Sequence, residues 1–232
     1  MKIMEIEKLE YEKKFREEEA YRTLRTNLEF CGKNVKVIIV TSCLPNEGKT
    51  TTCLKLAETI AETGKKVIVV DADLRKSVMI GRLKTKAITG LSHYLCGEYT
   101  LDDVICRTQV ENMHMIFAGP FPPNPSELLT SNEFEELIAE LRELYDYVII
   151  DSPPLGAVID AAIISKVCDG AILVIESNKV NVKFVSKVVE QLKIANCRIL
   201  GTVLNKVEMN SGSYYKKYLN KYYGNNYSNE VE

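Results

Sequence analysis

The sequence predicts an α/β fold: a mostly parallel sheet with helices on both faces, an N-terminal helix ahead of it and a mobile C-terminal tail behind it. Three observations predict this. Short β-branched runs of strand length, such as Val37-Ile38-Ile39-Val40, Val67-Ile68-Val69-Val70 and Val148-Ile149-Ile150, are apolar at every position. Strands buried on both faces read this way, whereas half-exposed strands alternate. Amphipathic segments at helical spacing separate these runs, and that alternation implies crossover units in a parallel sheet. Both ends then change character, to a charge-dense segment at the start and a Tyr/Asn/Lys-rich one at the finish.

In chain order, residues 5–30 read as one charged helix, uninterrupted by Gly or Pro, with Tyr21, Leu24 and Leu28 at helical spacing. Cys31-Gly32-Lys33-Asn34 ends it, and Val35 to Thr41 reads as the first strand. Lys49 to Thr63 has helical spacing and stops at Gly64, before a second strand over Val67–Val70. Short helices are expected around Ser92–Cys96 and Leu101–Cys106, and a strand over Met113–Ala118. Pro120-Phe121-Pro122-Pro123-Asn124-Pro125 is a rigid loop, because each proline fixes φ and removes a donor. A helix starts near Ser126 and Glu127, and another spans Phe134–Leu144. Strands follow at Tyr147–Ile150, Ala171–Ile175 and Ile199–Leu204, with a helix over Asn181–Ala195 between the last two. The division is 1–34 for the charged helix, 35–210 for the sheet domain and 211–232 for the tail.

Bulk properties exclude several classes. At 232 residues the chain suits one large domain, and a net charge of −2 gives no basis for nucleic-acid binding. The start carries no signal-peptide pattern, and no apolar run approaches the roughly 18 residues of a membrane span. Seven cysteines at wide spacing, with no C-x-x-C pair, read as free thiols in a reducing cytoplasm. His93 and His114 lack cysteines at zinc-ligand spacing.

The chemistry is concentrated in Ser42-Cys43-Leu44-Pro45-Asn46-Glu47-Gly48-Lys49-Thr50, between a strand and a helix. Backbone N–H groups there face an anion, Lys49 reaches β- and γ-phosphates, and the Thr50 hydroxyl suits Mg²⁺. Cys43 occupies the first glycine position of the usual G-x-x-x-x-G-K-[ST] pattern, so the loop alone also reads as a capped surface turn. Asp71 and Asp73 end one buried strand and Asp151 ends another. In a parallel sheet the C-terminal strand ends share one edge, so these carboxylates converge on Lys49. Carboxylates beside a triphosphate call for a cation between them. The site is therefore one for ATP with Mg²⁺, on a P-loop NTPase-type sheet.

With these residues in view, the chain resembles the bacterial tyrosine kinases, specifically the free-standing cytoplasmic kinases of capsule and exopolysaccharide operons. Asp71-x-Asp73-x-Arg75 is similar to the family's extra Walker motif and Asp151-Ser152-Pro153-Pro154 to its Walker B. Glu19-x-x-Arg22-x-x-Arg25 is similar to the helix motif that joins neighbouring subunits; by itself it also reads as a local ion pair on a solvated helix face. Gly119–Leu129 and Thr89-Gly90-Leu91-Ser92 match further family segments. Tyr214, Tyr215, Tyr218, Tyr222, Tyr223 and Tyr227 resemble the tyrosine cluster these kinases phosphorylate, although Tyr214, Tyr218 and Tyr222 also fit a packed helix stripe. One departure is Asn46, where the family loop has glycine. Asn tolerates a left-handed backbone, so the loop is expected to keep its shape.

The resemblance implies phosphoryl transfer from ATP to tyrosine. Asp71 is the candidate base. Thr50, Asp73 and Asp151 are candidate Mg²⁺ ligands, with Asp71 and Asp73 exchangeable between the two roles. Glu47, Gly48, Lys49, Thr50, Thr51 and Asn205 are the nucleotide-binding candidates, Asn205 towards adenine. It also implies a ring-like homo-oligomer, a membrane-anchored activator of the polysaccharide co-polymerase type, and a protein-tyrosine phosphatase as counterpart. Location would be cytoplasmic, at the inner membrane face through that partner. Two rivals stay open: a deviant-Walker partition ATPase, whose loop would carry lysine at Leu44, and a nucleotide-dependent scaffold of an export complex.

Overall fold

A computed structural model of the chain describes residues 2–3, 15–84 and 89–207. Eight strands form one sheet in the order β1-β4-β5-β3-β6-β2-β7-β8. They are β1 (Lys2–Ile3), β2 (Val37–Ser42), β3 (Val67–Asp71), β4 (Ile105–Arg107), β5 (Met113–Ile116), β6 (Tyr147–Asp151), β7 (Gly170–Glu176) and β8 (Ile199–Asn205). Only β4 and β5 pair antiparallel; the other pairs are parallel.

The helices are α1 (Phe15–Phe30), α2 (Lys49–Ala61), α3 (Met79–Arg82), α4 (Leu91–Leu95), α5 (Leu101–Val104), α6 (Pro125–Leu129), α7 (Asn132–Leu144), α8 (Asp160–Ile164) and α9 (Val182–Ile194). Alternation along the strands divides the core in two. Val37, Ile39, Ile68, Val70, Val148 and Ile150 pack with Phe134, Leu137 and Leu141 of α7 and with Val188 and Leu192 of α9. Ile38, Val40, Val67, Val69 and Ile149 face Leu54, Leu56, Ala57 and Ile60 of α2, with Leu28 of α1 beyond. Continuous apolar strands thus reflect helices on both faces, as expected.

Details of the elements differ from expectation. The predicted helix ending at Cys106 stops at Val104, and Ile105–Arg107 instead pairs with β5. Thr100 and Asp103 form a capping box, which starts that helix but does not lengthen it. The short helices α3 and α8 have no sequence periodicity to announce them. Of the helix expected over 5–30, the described part is Phe15–Phe30. The tail expected over 211–232, with its six tyrosines, lies outside the described residues.

The consequence for function is positional. Parallel pairing aligns the C-terminal ends of β2, β3 and β6, and Asp71 stands directly opposite Asp151 in the register. Everything the sequence places after those strands emerges at one edge.

Candidate active site

The loop between β2 and α2 wraps the start of a helix that has no side-chain cap. Ser131 caps α7 and Asn181 caps α9, but the residue ahead of α2 is Gly48, at φ 102°. The first N–H groups of α2 are thereby left to an anion. Asn205, at the end of β8, donates Nδ2–H to the Glu47 carbonyl at 2.8 Å. A Cβ on Gly48 would lie 2.0 Å from that nitrogen, so glycine is required both for its backbone and for its space. Asn46 sits at φ 65°, the left-handed conformation that the sequence reading assigns to it.

Glu47 is fully buried and its side chain turns inward. Oε2 accepts the Leu44 N–H at 2.6 Å and Oε1 accepts the Glu176 N–H at 3.0 Å. The carboxylate therefore braces the loop against the end of β7, while its backbone stays in the loop. Outside it, Lys206 Nζ donates to the Asn46 carbonyl at 2.7 Å and pairs with Glu176 at 3.0 Å. The end of β8 is thus tied to the loop at two points, and Lys206 ties it to β7 at a third.

Lys49, Thr50, Asp71, Asp73 and Asp151 line one cleft. Thr50 Oγ1 donates to Asp151 Oδ2 at 2.6 Å. Asp71 accepts the Ser77 hydroxyl, and also the Asp73 N–H at 3.3 Å. Asp73 accepts the Lys76 N–H at 2.9 Å, closing the loop after β3 on itself. Burial pushes the Asp71 carboxyl well above the usual range, and the Asp151 charge across the sheet pushes it further. Burial likewise raises Asp151 to about 6, partly offset by Thr50 and Lys49. Its Oδ1 is buried with no hydrogen-bond partner among the described residues. The neighbouring Cys53 thiol is pushed well up, by burial first and then by Asp151, and is a core group rather than a nucleophile.

A divalent cation fits this donor set. The orphaned Asp151 oxygen, the Thr50 hydroxyl and a second buried carboxylate form a site whose negative charge Lys49 offsets only in part. No group of three or more His, Cys, Asp or Glu among the described residues forms a metal cage. An ion that draws most of its ligands from phosphate and water needs none.

Asp160 and Arg82 went unread in the sequence, and Arg75 was read only as part of its motif. Arg75 grips the fully buried Asp160 of α8 through Nε at 2.6 Å and Nη2 at 3.1 Å, and reaches Ser126 of α6 at 2.8 Å. That network anchors the aspartate loop to the segment after Pro125. An acidic residue in the apolar stretch Leu155–Ile164 was the available signal for Asp160. Thr51 accepts a hydrogen bond from Arg82. On α1, Arg22 pairs with Glu19, whereas Arg25 donates to the Thr59 carbonyl of α2 at 2.8 Å. The three residues therefore share a helix, but Arg25 is engaged within the chain.

Comparisons with known proteins place the chain in a family. The family model described as an AAA domain matches residues 35–205. The chain is 42% identical over 198 residues to the tyrosine-protein kinase CpsD of Streptococcus agalactiae serotype III, covering 85% of each. It is 38% identical to the tyrosine-protein kinase YwqD of Bacillus subtilis, over 86% of this chain and 85% of that one. The kinase domain of the Escherichia coli tyrosine kinase ETK superposes with a TM-score of 0.81 at 34% identity, over 85% of this chain and 78% of that one. The septum site-determining protein MinD of Pyrococcus horikoshii, solved with Mg-ADP, is further away: TM-score 0.62 and 29% identity, over 73% and 70%. Leu44 stands where the rival class carries its lysine, and the loop is that of an ATP-binding kinase. The chain belongs to the bacterial tyrosine-protein kinases of the CpsD and YwqD type.

Proposed function

We propose that this kinase transfers the ATP γ-phosphate to tyrosine hydroxyls with Mg²⁺ as its cation, and that Tyr214, Tyr215, Tyr218, Tyr222, Tyr223 and Tyr227 of its own tail are substrates. The observation that carries the reading is the convergence of Lys49, Thr50, Asp71 and Asp151 in one cleft, with an unpartnered carboxylate oxygen beside the Thr50 hydroxyl. A loose, charge-rich transition state needs positioning and electrostatic stabilisation above all. Lys49 and the uncapped N–H groups of α2 neutralise the phosphate oxygens. Thr50, Asp151 and Asp73 would hold Mg²⁺, directly or through water, and the ion would supply further neutralisation of phosphate charge. Asp71 is the base, oriented by Ser77 and the Asp73 N–H. Its raised proton affinity brings it nearer to a phenol of pKa about 10. The backbones of Glu47, Gly48 and Thr51 line the phosphates, and Asn205 reaches adenine.

The family supports a wider reading. The kinase would control capsular or exopolysaccharide synthesis and export, docked at the inner membrane face on a membrane-anchored activator of the co-polymerase type, with a protein-tyrosine phosphatase reversing it. Subunits would join in a ring through α1, with Glu19, Arg22 and Arg25 at the contact and the tail of one entering the cleft of the next. Each phosphate adds about −1.5 to −2 charges, which favours release from an acidic site and loosens the ring. The test is incubation with labelled ATP and Mg²⁺, with Lys49→Met as control and mass-spectrometric mapping. Phosphotyrosine within 214–227, absent from the control, is the expected result. Free phosphate with unmodified tyrosines would instead mean an ATPase, and neither product a scaffold.

A further inference from the structure

Arg82 ends α3 and belongs to none of the motifs above. The other arginine that lines the cleft, Arg75, is committed to Asp160. Arg82 lines the cleft with Lys49 and Thr50, and its Nη1 donates to Thr51 Oγ1. Among the described residues it has that hydroxyl as a partner and no carboxylate. A guanidinium carries five N–H donors in a planar fork, so most of its capacity is left for a further acceptor.

Its position says which acceptor. Thr51 is on the first turn of α2, the uncapped end that faces the anion. Successive side chains on a helix stand about 100° apart. Thr50 is turned towards Asp151. Thr51 therefore stands on a different side of the helix end from the Thr50–Asp151 pair, and Arg82 comes with it. We propose that Arg82 is a further nucleotide-binding residue, its guanidinium taking α- and β-phosphate oxygens on the Thr51 side of the loop. The proposal rests on the nucleotide reading of that loop. It also joins the two halves of the site. Arg82 follows the aspartate loop through Ser77, which hydrogen-bonds Asp71, and Met79, whose N–H donates to Ser77 Oγ at 3.3 Å. A nucleotide gripped by Arg82 would hold α3, and with it the loop carrying Asp71, against α2.

The experiment is calorimetric titration of the full chain, and of its Arg82→Ala and Arg82→Lys variants, with Mg-ADP and with Mg-ATP. Hydrogen bonds to charged groups predict a loss of about tenfold or more in affinity for both nucleotides with Arg82→Ala, and partial recovery with Arg82→Lys. Thermal unfolding without nucleotide should be unchanged, because Arg82 is exposed. Affinities within about twofold of wild type for both nucleotides would overturn the proposal. So would a loss confined to ATP, which would put the guanidinium at the γ-phosphate instead. A wild-type chain that binds neither nucleotide fails the loop reading itself, a result distinct from a binding wild type matched by its Arg82→Ala variant.

Discussion

At the residue scale the site is two buried carboxylates held side by side by strand register, Asp71 opposite Asp151. Their environment sets their chemistry. Asp151 is raised from 3.8 to about 6 in the fold, by burial first, and Asp71 is raised as well. A folded pKa above the unfolded one means stability that is fully present below about pH 3.8 and lost as pH rises through about 6. The nucleotide-free protein is therefore expected to lose stability between about pH 4 and 6 relative to an Asp151→Asn variant, as thermal melts across that range would reveal. Cation affinity runs the other way, since the ligand must be deprotonated, and Mg²⁺ titrations should tighten over the same window. Replacing Asp71 by Asn should lower tyrosine phosphorylation by about 10² or more while Mg-ATP binding persists. Full activity in that variant would remove Asp71 from the role of base.

At the scale of elements, loops are held by side chains that the motif pattern does not describe. Asn46 occupies a left-handed position at φ 65°. An Asn46→Ala change should cost about 1 kcal/mol and weaken nucleotide binding, whereas Asn46→Gly should leave the ATP dissociation constant unchanged. Both can be read from denaturant melts and titrations. Asp160 is buried under Arg75, whose side chain is 37% exposed. Asp160→Ala should cost about 2 kcal/mol, less than a fully buried pair, and should slow phosphoryl transfer more than it weakens ATP binding. That split would show that the Arg75 network positions the aspartate loop rather than only stabilising α8.

For the whole molecule the question is assembly. Arg22 is half-exposed and pairs only with neighbours on its own helix among the described residues, Glu18 and Glu19. Arg25 spans α1 and α2. If α1 is the subunit contact, Arg22→Ala should shift the oligomer towards smaller species with an unchanged melting temperature. Arg25→Ala should also lower the melting temperature, by undocking α1. Light scattering beside thermal melts separates the two, and an oligomer unaffected by both substitutions together would count against the contact.

The sequence by itself determined the sheet, the phosphate loop and the strand-end aspartates. Runs such as Val37–Val40 are apolar at every position because both faces are covered, and short-range pattern records that directly. Gly48-Lys49-Thr50 and the strand-end aspartates are legible because parallel strands must deliver their C-terminal residues to one edge. Tertiary structure alone decided which side chains face the cleft and which brace the loop. Glu47 reads as a binding residue in its motif, yet it is fully buried and bridges Leu44 to Glu176, 129 positions later. Arg75 finds Asp160 across 85 positions. Such partners follow no period and no fixed spacing. A buried charge is satisfied by whatever the completed fold brings within hydrogen-bond distance, and that is settled only when the sheet has closed around it.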